Sequence, residues 1–141
     1  MIGFYSEGAP FPLKGKKWSV KKQIVSLIEM ENRKAGDLCF VFCTDDYLLE
    51  INKKHLDHDY YTDVITFDYT TDNAVSGDIF ISVERVTENA AEFDVSFNHE
   101  LSRVMYHGVL HLCGYNDKSD DEKQTMQKKE DFYLKTFSIT E

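Results

Sequence analysis

One apolar stripe between Ser96 and Gly114 constrains the fold of this chain more than any other feature of its sequence. Its members recur every three to four positions, which predicts the buried face of a helix that Ser96 caps and Gly114 ends. The stripe consists of Phe97, Leu101, Val104, Met105, Gly108 and Leu112. A helix with such a face needs a sheet or other helices to cover it.

Several segments are suited to form that sheet. The run DLCFVFC, residues 37–43, is apolar and rich in β-forming residues, which predicts a central strand covered on both faces. Residues 2–6 predict a further strand, as do the runs VITFDY and GDIFIS, at residues 64–69 and 77–82. We expect the last two strands to pair with each other.

Four other segments predict helices. Ser19 is expected to cap a helix in a unit that Gly36 ends, and Thr44 is expected to cap a second helix. Residues 84–93 show helical periodicity, and residues 119–122, SDDE, form a capping box that opens a terminal helix. The chain is therefore expected to contain both helices and a short sheet.

Length and composition favour one domain. The 141 residues, 42% of them hydrophobic, suffice for one core, so we predict a single domain over residues 1–141. No apolar run is long enough for a membrane span, and the first residues lack the pattern of a secretion signal. Three cysteines, two of them within one predicted strand, favour reduced thiols. We expect a cytoplasmic protein.

Charge is distributed unevenly along the chain. With 25 acidic and 16 basic residues the formal net charge is −9, which argues against a protein that coats nucleic acid through bulk electrostatics. The basic residues nevertheless cluster, and such clusters are either solvated helix faces or contact surfaces for a polyanion. They are Lys14, Lys16, Lys17, Lys21 and Lys22, followed by Arg33, Lys34, Lys53 and Lys54.

The stretch HGVLHLCGYND, residues 107–117, carries the chemistry. On a helix, His107 and His111 lie one turn apart at the edge of the apolar stripe, with their Cβ atoms about 6 Å from each other. Gly114 permits a positive φ that returns the chain and brings Asp117 toward both imidazoles. Two imidazoles and a carboxylate predict a metal site with one position open to water. The alternative is a chance pair of histidines satisfied by ordinary neighbours.

The spacing matches that of the zinc-protease helix, H-E-x-x-H-x-x-G-x-x-H, which appears here as H-G-x-x-H-x-x-G-x-x-D. Gly108 replaces the glutamate that takes a proton from water in those proteases, so a protease would lack its general base. A metal hydrolase that acts on another bond remains compatible. We predict an α+β fold: a short mixed sheet, and a zincin-like metal-binding helix in a helical C-terminal half.

The same residues resemble a known family. HGVLHLCGYND, together with TDVITF at residues 62–67 and GDIFIS at residues 77–82, resembles the YbeY family of bacterial rRNA maturation factors, which are metal-dependent single-strand endoribonucleases. The family pattern is H-G-x-L-H-L-x-G-Y-D-H, and its three histidines bind zinc. The resemblance implies that His107 and His111 are the first two ligands and that Asp117 replaces the third. Aspartate is a competent zinc ligand, although it leaves other divalent metals possible.

A second departure from the family pattern is Leu56, where the family usually carries an arginine that contacts the phosphate. Arg103, one turn before the first histidine, or His58 is a candidate replacement, although Arg103 is equally compatible with a solvated helix face. Asp63 and Asp78, beside the two matched strands, are candidate proton acceptors or simple turn caps. The catalytic residues are otherwise not identified by the sequence.

The resemblance implies a metal-dependent hydrolase with one zinc ion. It would act in ribosomal RNA processing, in small-subunit rRNA maturation and ribosome quality control. The expected partners are single-stranded RNA, ribosomal RNA or the ribosome, and neither DNA nor a membrane. Bases would stack on Tyr60, Tyr61 or Tyr115. The alternatives are a ribosome-assembly factor with a structural ion, another metal-dependent hydrolase, and an iron site for oxygen chemistry.

Overall fold

The structure, a computed structural model, describes residues 1–56 and 61–137 and has an α+β architecture, as predicted. Its strands are β1 (Ile2–Glu7), β2 (Lys34–Cys43), β3 (Val64–Asp68) and β4 (Ala74–Ser82). Its helices are α1 (Lys17–Met30), α2 (Asp45–Leu56), α3 (Val83–Glu92), α4 (Phe97–Leu112) and α5 (Asp120–Thr136). None of these helices is long and apolar enough to cross a membrane.

The strands form one mixed sheet in the order β1-β2-β4-β3. β2 lies between β1 and β4 and is parallel to both, whereas β3 is antiparallel to β4. The predicted pairing of the last two strands is therefore confirmed. Among the described residues, β1 and β3 form the two open edges of the sheet.

The two faces of the sheet are covered to different extents. Leu38, Phe40 and Phe42 of β2 are buried in one core with residues of α1 and α4. Cys39 and Val41 point to the other face and are only half-buried, because the helix that packs there, α2, covers one end of the sheet. The prediction that β2 is covered on both faces is therefore right for one face only.

The first helix begins earlier than predicted. A turn closed by the hydrogen bond from Lys16 N–H to the Leu13 carbonyl, 2.9 Å, already directs the chain into α1 and buries Leu13. Ser19 therefore lies inside the first turn, and no side chain caps this helix. Gly36 does not follow the helix but lies within β2, at an irregularity in its pairing with β4.

The other predicted helix starts are confirmed. Thr44 accepts a hydrogen bond from the N–H of Tyr47 at the start of α2, and Ser96 accepts one from the N–H of His99 at the start of α4. Residues 119–122 form the complete capping box of α5. These caps satisfy backbone groups that a helix start otherwise leaves without partners.

The cysteines are free thiols, as predicted. Burial raises the pKa of Cys43 to about 12 and that of Cys113 to about 11, so both thiols are protonated at neutral pH. Thiolates bind metals and thiols do so poorly. Cys43 is a core residue and Cys113 packs against the core, whereas Cys39 is half-buried on the less covered face of the sheet.

Helix α4 approaches the sheet closely at Gly108. A Cβ atom built there would lie 2.9 Å from Cγ2 of Ile79 and 3.5 Å from Cγ2 of Thr66. The missing side chain therefore lets the backbone of α4 pack directly on β3 and β4. It also places His107 and His111 beside the open edge at β3.

We expect Gly108→Ala to lower the free energy of unfolding by about 1 kcal/mol, measured by urea unfolding. Overpacking against Ile79 costs roughly 1–3 kcal/mol, and the higher helix propensity of alanine offsets about 1 kcal/mol of it. Thr125→Ala, at an exposed site of α5, is the control and is expected to change stability by at most about 0.5 kcal/mol. A stability gain in Gly108→Ala would contradict the close approach.

Candidate metal centre

His107 and His111 project from the same side of α4 near its C-terminal end. Their ring centroids lie 4.6 Å apart, with the rings nearly perpendicular at 82°. The side chains are 16% and 24% exposed, respectively. Two imidazoles thus share one small site that solvent can reach.

The turn after α4 adds a carboxylate to this pair. Gly114 has a φ of +109°, in the region that favours glycine, and the hydrogen bonds of a Schellman motif close the helix end around it. The returning chain places Oδ2 of Asp117 3.3 Å from Nε2 of His107 and 3.4 Å from Nε2 of His111. The structure therefore brings together the three side chains that the motif spacing predicts.

The three side chains suit a metal ion in geometry and in donor type. Two imidazole nitrogens and one carboxylate oxygen all lie within 4.8 Å of one another in His107, His111 and Asp117. Zinc binds such donors, as do other divalent transition metals. Three protein ligands would leave a coordination position open for water or substrate, which is typical of catalytic sites rather than structural ones.

Both imidazoles direct Nε2 into the site because Nδ1 has an acceptor elsewhere. Nδ1 of His107 lies 2.6 Å from Oε2 of Glu130, and Nδ1 of His111 lies 2.9 Å from the carbonyl oxygen of Tyr115. A carbonyl oxygen only accepts, so the hydrogen of His111 sits on Nδ1 and the lone pair on Nε2. The carboxylate of Glu130 selects the same tautomer of His107. The pair is therefore oriented to bind a cation.

Glu130 also joins His107 to an ion-pair network. Oε1 of Glu130 accepts a hydrogen bond of 3.2 Å from Arg103. Arg103 in turn lies 2.6 Å from Oε2 of Glu100 and 3.4 Å from Oδ2 of Asp63. One guanidinium thus faces three carboxylates beside the predicted ligands. This excess of negative charge favours a cation in the site.

Arg103 is held by this network. Burial opposes its charged form, but the hydrogen bonds and charges of Glu100, Glu130 and Asp63 together raise its pKa above the ordinary value. Because three carboxylates already balance its charge, Arg103 attracts a phosphate less than an unpaired arginine would. The phosphate contact of Arg103 stays a prediction.

Two grooves meet at the predicted ligands. The α5 groove, about 510 Å³, lies between α4 and α5 and includes Phe93 and Met126. The β3 groove, about 290 Å³, lies between the end of α2 and β3 and includes Leu56. His107 and Asp117 line both grooves. A polymer that lies in both therefore passes the ligands at an internal position.

The β3 groove contains Leu56 and the candidate proton acceptor Asp63. Leu56 lies there, so the position of the family's arginine is beside the ligands but carries no charge. Asp63 lines the same groove, whereas Asp78 lies in a separate cleft with Tyr69. Asp63 is thus the candidate proton acceptor that lies near the ligands. His58 lies outside the described residues.

Tyr115 supports the loop after α4. Its hydroxyl donates to Oε1 of Glu31 at 2.6 Å, and Nζ of Lys129 lies 5.5 Å from its ring centroid. Glu31 also accepts hydrogen bonds from Lys129 and Tyr133. Burial alone would raise the pKa of Glu31, but these three donors lower it below its ordinary value. Helices α1 and α5 thereby fix the loop whose carbonyl orients His111.

Tyr61 is another tyrosine that is expected to stack on bases, and it contacts helix α2. Tyr61 is exposed, and its hydroxyl donates to Oδ1 of Asp46 at 3.1 Å. Tyr60 lies outside the described residues. Base stacking on Tyr61 or Tyr60 stays a prediction.

The motif spacing did not identify Glu130, although α5 carries a signal for it. Met126 and Tyr133 are buried, and Glu130 lies between them on the same face of the helix. An acid on a buried face needs a charged or hydrogen-bonding partner. The pattern therefore indicates that α5 presents a carboxylate to another element, but it does not say which one.

Proteins of one family are similar to this chain over most of its length. The family model described as Endoribonuclease YbeY matches residues 13–138. A protein of that name from Flavobacterium psychrophilum is 53% identical over 116 residues, which cover 82% of this chain and 83% of the relative. Another, from Christiangramia forsetii, is 45% identical over 138 residues, which cover 98% and 95%.

The fold is also similar to a solved structure. The solution structure of a protein from Thermotoga maritima matches with a TM-score of 0.69 and 29% sequence identity. The match covers 96% of this chain and 87% of that chain. The similarity thus extends over nearly the whole chain, α4 included.

We expect Glu130→Ala to weaken zinc binding roughly 10- to 100-fold, because the outer carboxylate no longer orients His107. Glu130→Gln retains an oxygen that accepts the Nδ1 hydrogen, so its affinity should lie between the two. Calorimetric titration of metal-free protein with zinc measures both variants. Asp131→Asn, at the exposed next position of α5, is the control. Wild-type affinity in Glu130→Ala would contradict this role.

Proposed function

The chain belongs to the YbeY endoribonuclease family, and on this premise we propose that it is a metal-dependent hydrolase that cleaves single-stranded RNA during ribosomal RNA processing. The proposed metal ligands are His107, His111 and Asp117. One observation carries the proposal: the α5 groove and the β3 groove meet at these side chains. A strand that occupies both grooves extends to either side of the ligands, as cleavage at an internal position requires.

We assign zinc to this site because its donors are two imidazole nitrogens and a carboxylate oxygen. When bound, a divalent cation would polarise a phosphoryl oxygen and lower the pKa of a water molecule. Asp117 adds a negative charge where the family pattern has a neutral ligand, which keeps other divalent metals compatible. Elemental analysis of the protein purified without added metal identifies the native ion.

In this proposal, contacts within the protein fix the orientation of the three metal ligands. His107 and His111 would hold the cation through Nε2, while Glu130 and the carbonyl of Tyr115 hold the rings at Nδ1. Asp117 approaches both Nε2 atoms from the turn that ends α4. None of the three ligands then has to reorient when the cation binds, which favours affinity.

Ribosomal RNA is the substrate that we propose, and the cytoplasm is the compartment. Family membership supports the substrate. The three cysteines are free thiols, which agrees with a reducing compartment. The ribosome itself is the proposed partner, since it presents this RNA.

We expect His111→Ala to abolish cleavage of a labelled single-stranded RNA that carries a ribosomal RNA sequence. The variant should also lose its bound metal, because two ligands hold a catalytic ion poorly. Gel electrophoresis measures cleavage, and elemental analysis of dialysed protein measures the metal. His55→Ala, on the exposed surface of α2, is the matched control.

Two outcomes would decide against the proposal. Full cleavage by metal-free His111→Ala would show that the site is not the nuclease centre. A His111→Ala variant that binds ribosomes and restores growth of a deletion strain would favour an assembly factor whose ion is structural.

A further inference from the structure

A basic surface lies at the start of α1, at the opposite end of that helix from the metal centre. Residues 8–28 contain five lysines and no acidic residue, in a chain whose formal net charge is −9. Three of these lysines are exposed around Trp18, and Tyr5 lies beside them on β1. We call this set the N-terminal basic surface, formed by Tyr5, Lys17, Trp18, Lys21 and Lys22.

The N-terminal basic surface contains a groove that is lined by two exposed aromatic residues. The groove follows the open edge of β1, has a volume of about 410 Å³, and is lined by Tyr5, Lys17, Trp18 and Lys21. Trp18, the single tryptophan of the chain, is 72% exposed, and Tyr5 is 56% exposed. Nζ of Lys22 lies 4.4 Å from the centroid of the Trp18 ring, so a cation–π contact holds the ring in place.

Folding stability does not account for this arrangement. Lysines at the start of α1 oppose the helix dipole, and the first turn contains no acid and no side-chain cap. Helix α5 of the same chain has three acids in its first turn and a complete capping box. An exposed tryptophan also contributes little to the core. An anionic ligand would neutralise the lysines at the start of α1, and flat rings in the same ligand would cover the exposed ring of Trp18.

We propose that the N-terminal basic surface binds a second stretch of the RNA strand that the metal centre cleaves, an inference that rests on the proposed function. Lysines neutralise phosphates, and exposed tryptophan and tyrosine rings stack on unpaired bases. The charge favours a polyanion, and the two rings favour single-stranded RNA over an acidic protein segment. The bound stretch anchors the strand and leaves the chemical step unchanged.

The position of the surface sets a minimum length for the RNA. Helix α1 has 14 residues, which at about 1.5 Å per residue separates its ends by about 20 Å. Glu31, just beyond the far end, contacts Tyr115 of the loop that orients His111. A short oligonucleotide that fills the metal centre therefore does not reach the lysines, whereas a long strand does.

The single tryptophan makes the contact directly measurable in the metal-loaded protein. Stacking of a base on Trp18 should quench the tryptophan fluorescence when a strand of about 30 nucleotides is added, and a trinucleotide, which is too short to extend about 20 Å from the metal centre, should leave it unchanged. Trp18→Ala should raise KM for the long strand roughly 5- to 100-fold with kcat unchanged, and leave KM for the trinucleotide unaltered.

The lysines are tested separately by salt dependence. The double variant Lys17→Gln/Lys21→Gln should reduce the slope of log(kcat/KM) against log salt for the long strand by about 0.7 for each phosphate that a lysine no longer neutralises. Lys128→Gln/Lys135→Gln and Phe132→Ala, on exposed positions of α5, are the matched controls for charge and aromatic surface. Thermal unfolding of all variants separates loss of binding from loss of fold.

The outcomes distinguish this inference from the proposed function. If the wild-type protein cleaves neither RNA, the proposed function fails. If it cleaves both, but Trp18→Ala and the double lysine variant keep the wild-type KM and salt slope for the long strand, the anchoring surface is wrong. Tighter quenching of Trp18 by a polyglutamate peptide than by the long RNA would also overturn it, in favour of an acidic protein partner.

Discussion

The hydrogen on each Nδ1 determines what the two histidines can bind. With an acceptor at Nδ1, each imidazole keeps a lone pair on Nε2, and Oδ2 of Asp117 lies 3.3 Å from Nε2 of His107 and 3.4 Å from Nε2 of His111. If either ring rotated, its Nε2 atom would leave the shared site, and the two histidines could no longer bind the same cation. The acceptors are Glu130 and the carbonyl of Tyr115, so the site depends on α5 and on the turn after α4 as much as on its own helix.

Three parts of the chain that are distant in sequence thus support one site. Helix α1 holds Tyr115 through Glu31, and α5 holds His107 through Glu130. The close approach of α4 to the sheet, made possible by Gly108, places the ligands at the junction of the two grooves. The buried carboxylates Glu100 and Glu130 are costly for folding alone. Arg103 compensates part of their charge, and a cation bound at the proposed site would compensate more of it.

The sequence predicted those features whose signals are local. The helix caps, the apolar stripe and the spacing of His107 and His111 depend on residues three or four positions apart. The structure confirms the caps at Thr44, Ser96 and Ser119, and it buries every residue of the stripe except Phe97, which is half-buried. The contact of Glu130 with His107 and that of Glu31 with Tyr115 join residues far apart in sequence, so no periodic pattern predicts them. The start of α1 was missed for a related reason, since a turn anchored by a buried residue, and not a capping side chain, begins that helix.

The two departures from the family pattern both make the charge around the predicted metal centre more negative. Asp117 in place of histidine adds a negative charge among the ligands, and Leu56 in place of arginine removes a positive charge from the β3 groove. Arg103 does not restore the balance, because three carboxylates surround it. In the proposed function, a phosphate that approaches this centre would be attracted mainly by the bound cation, and affinity for a long polyanion would have to come from elsewhere on the molecule. We infer that the lysine-rich start of α1, which contains no acid, supplies this affinity. The strand is then anchored at one end of α1 and cleaved near the other end.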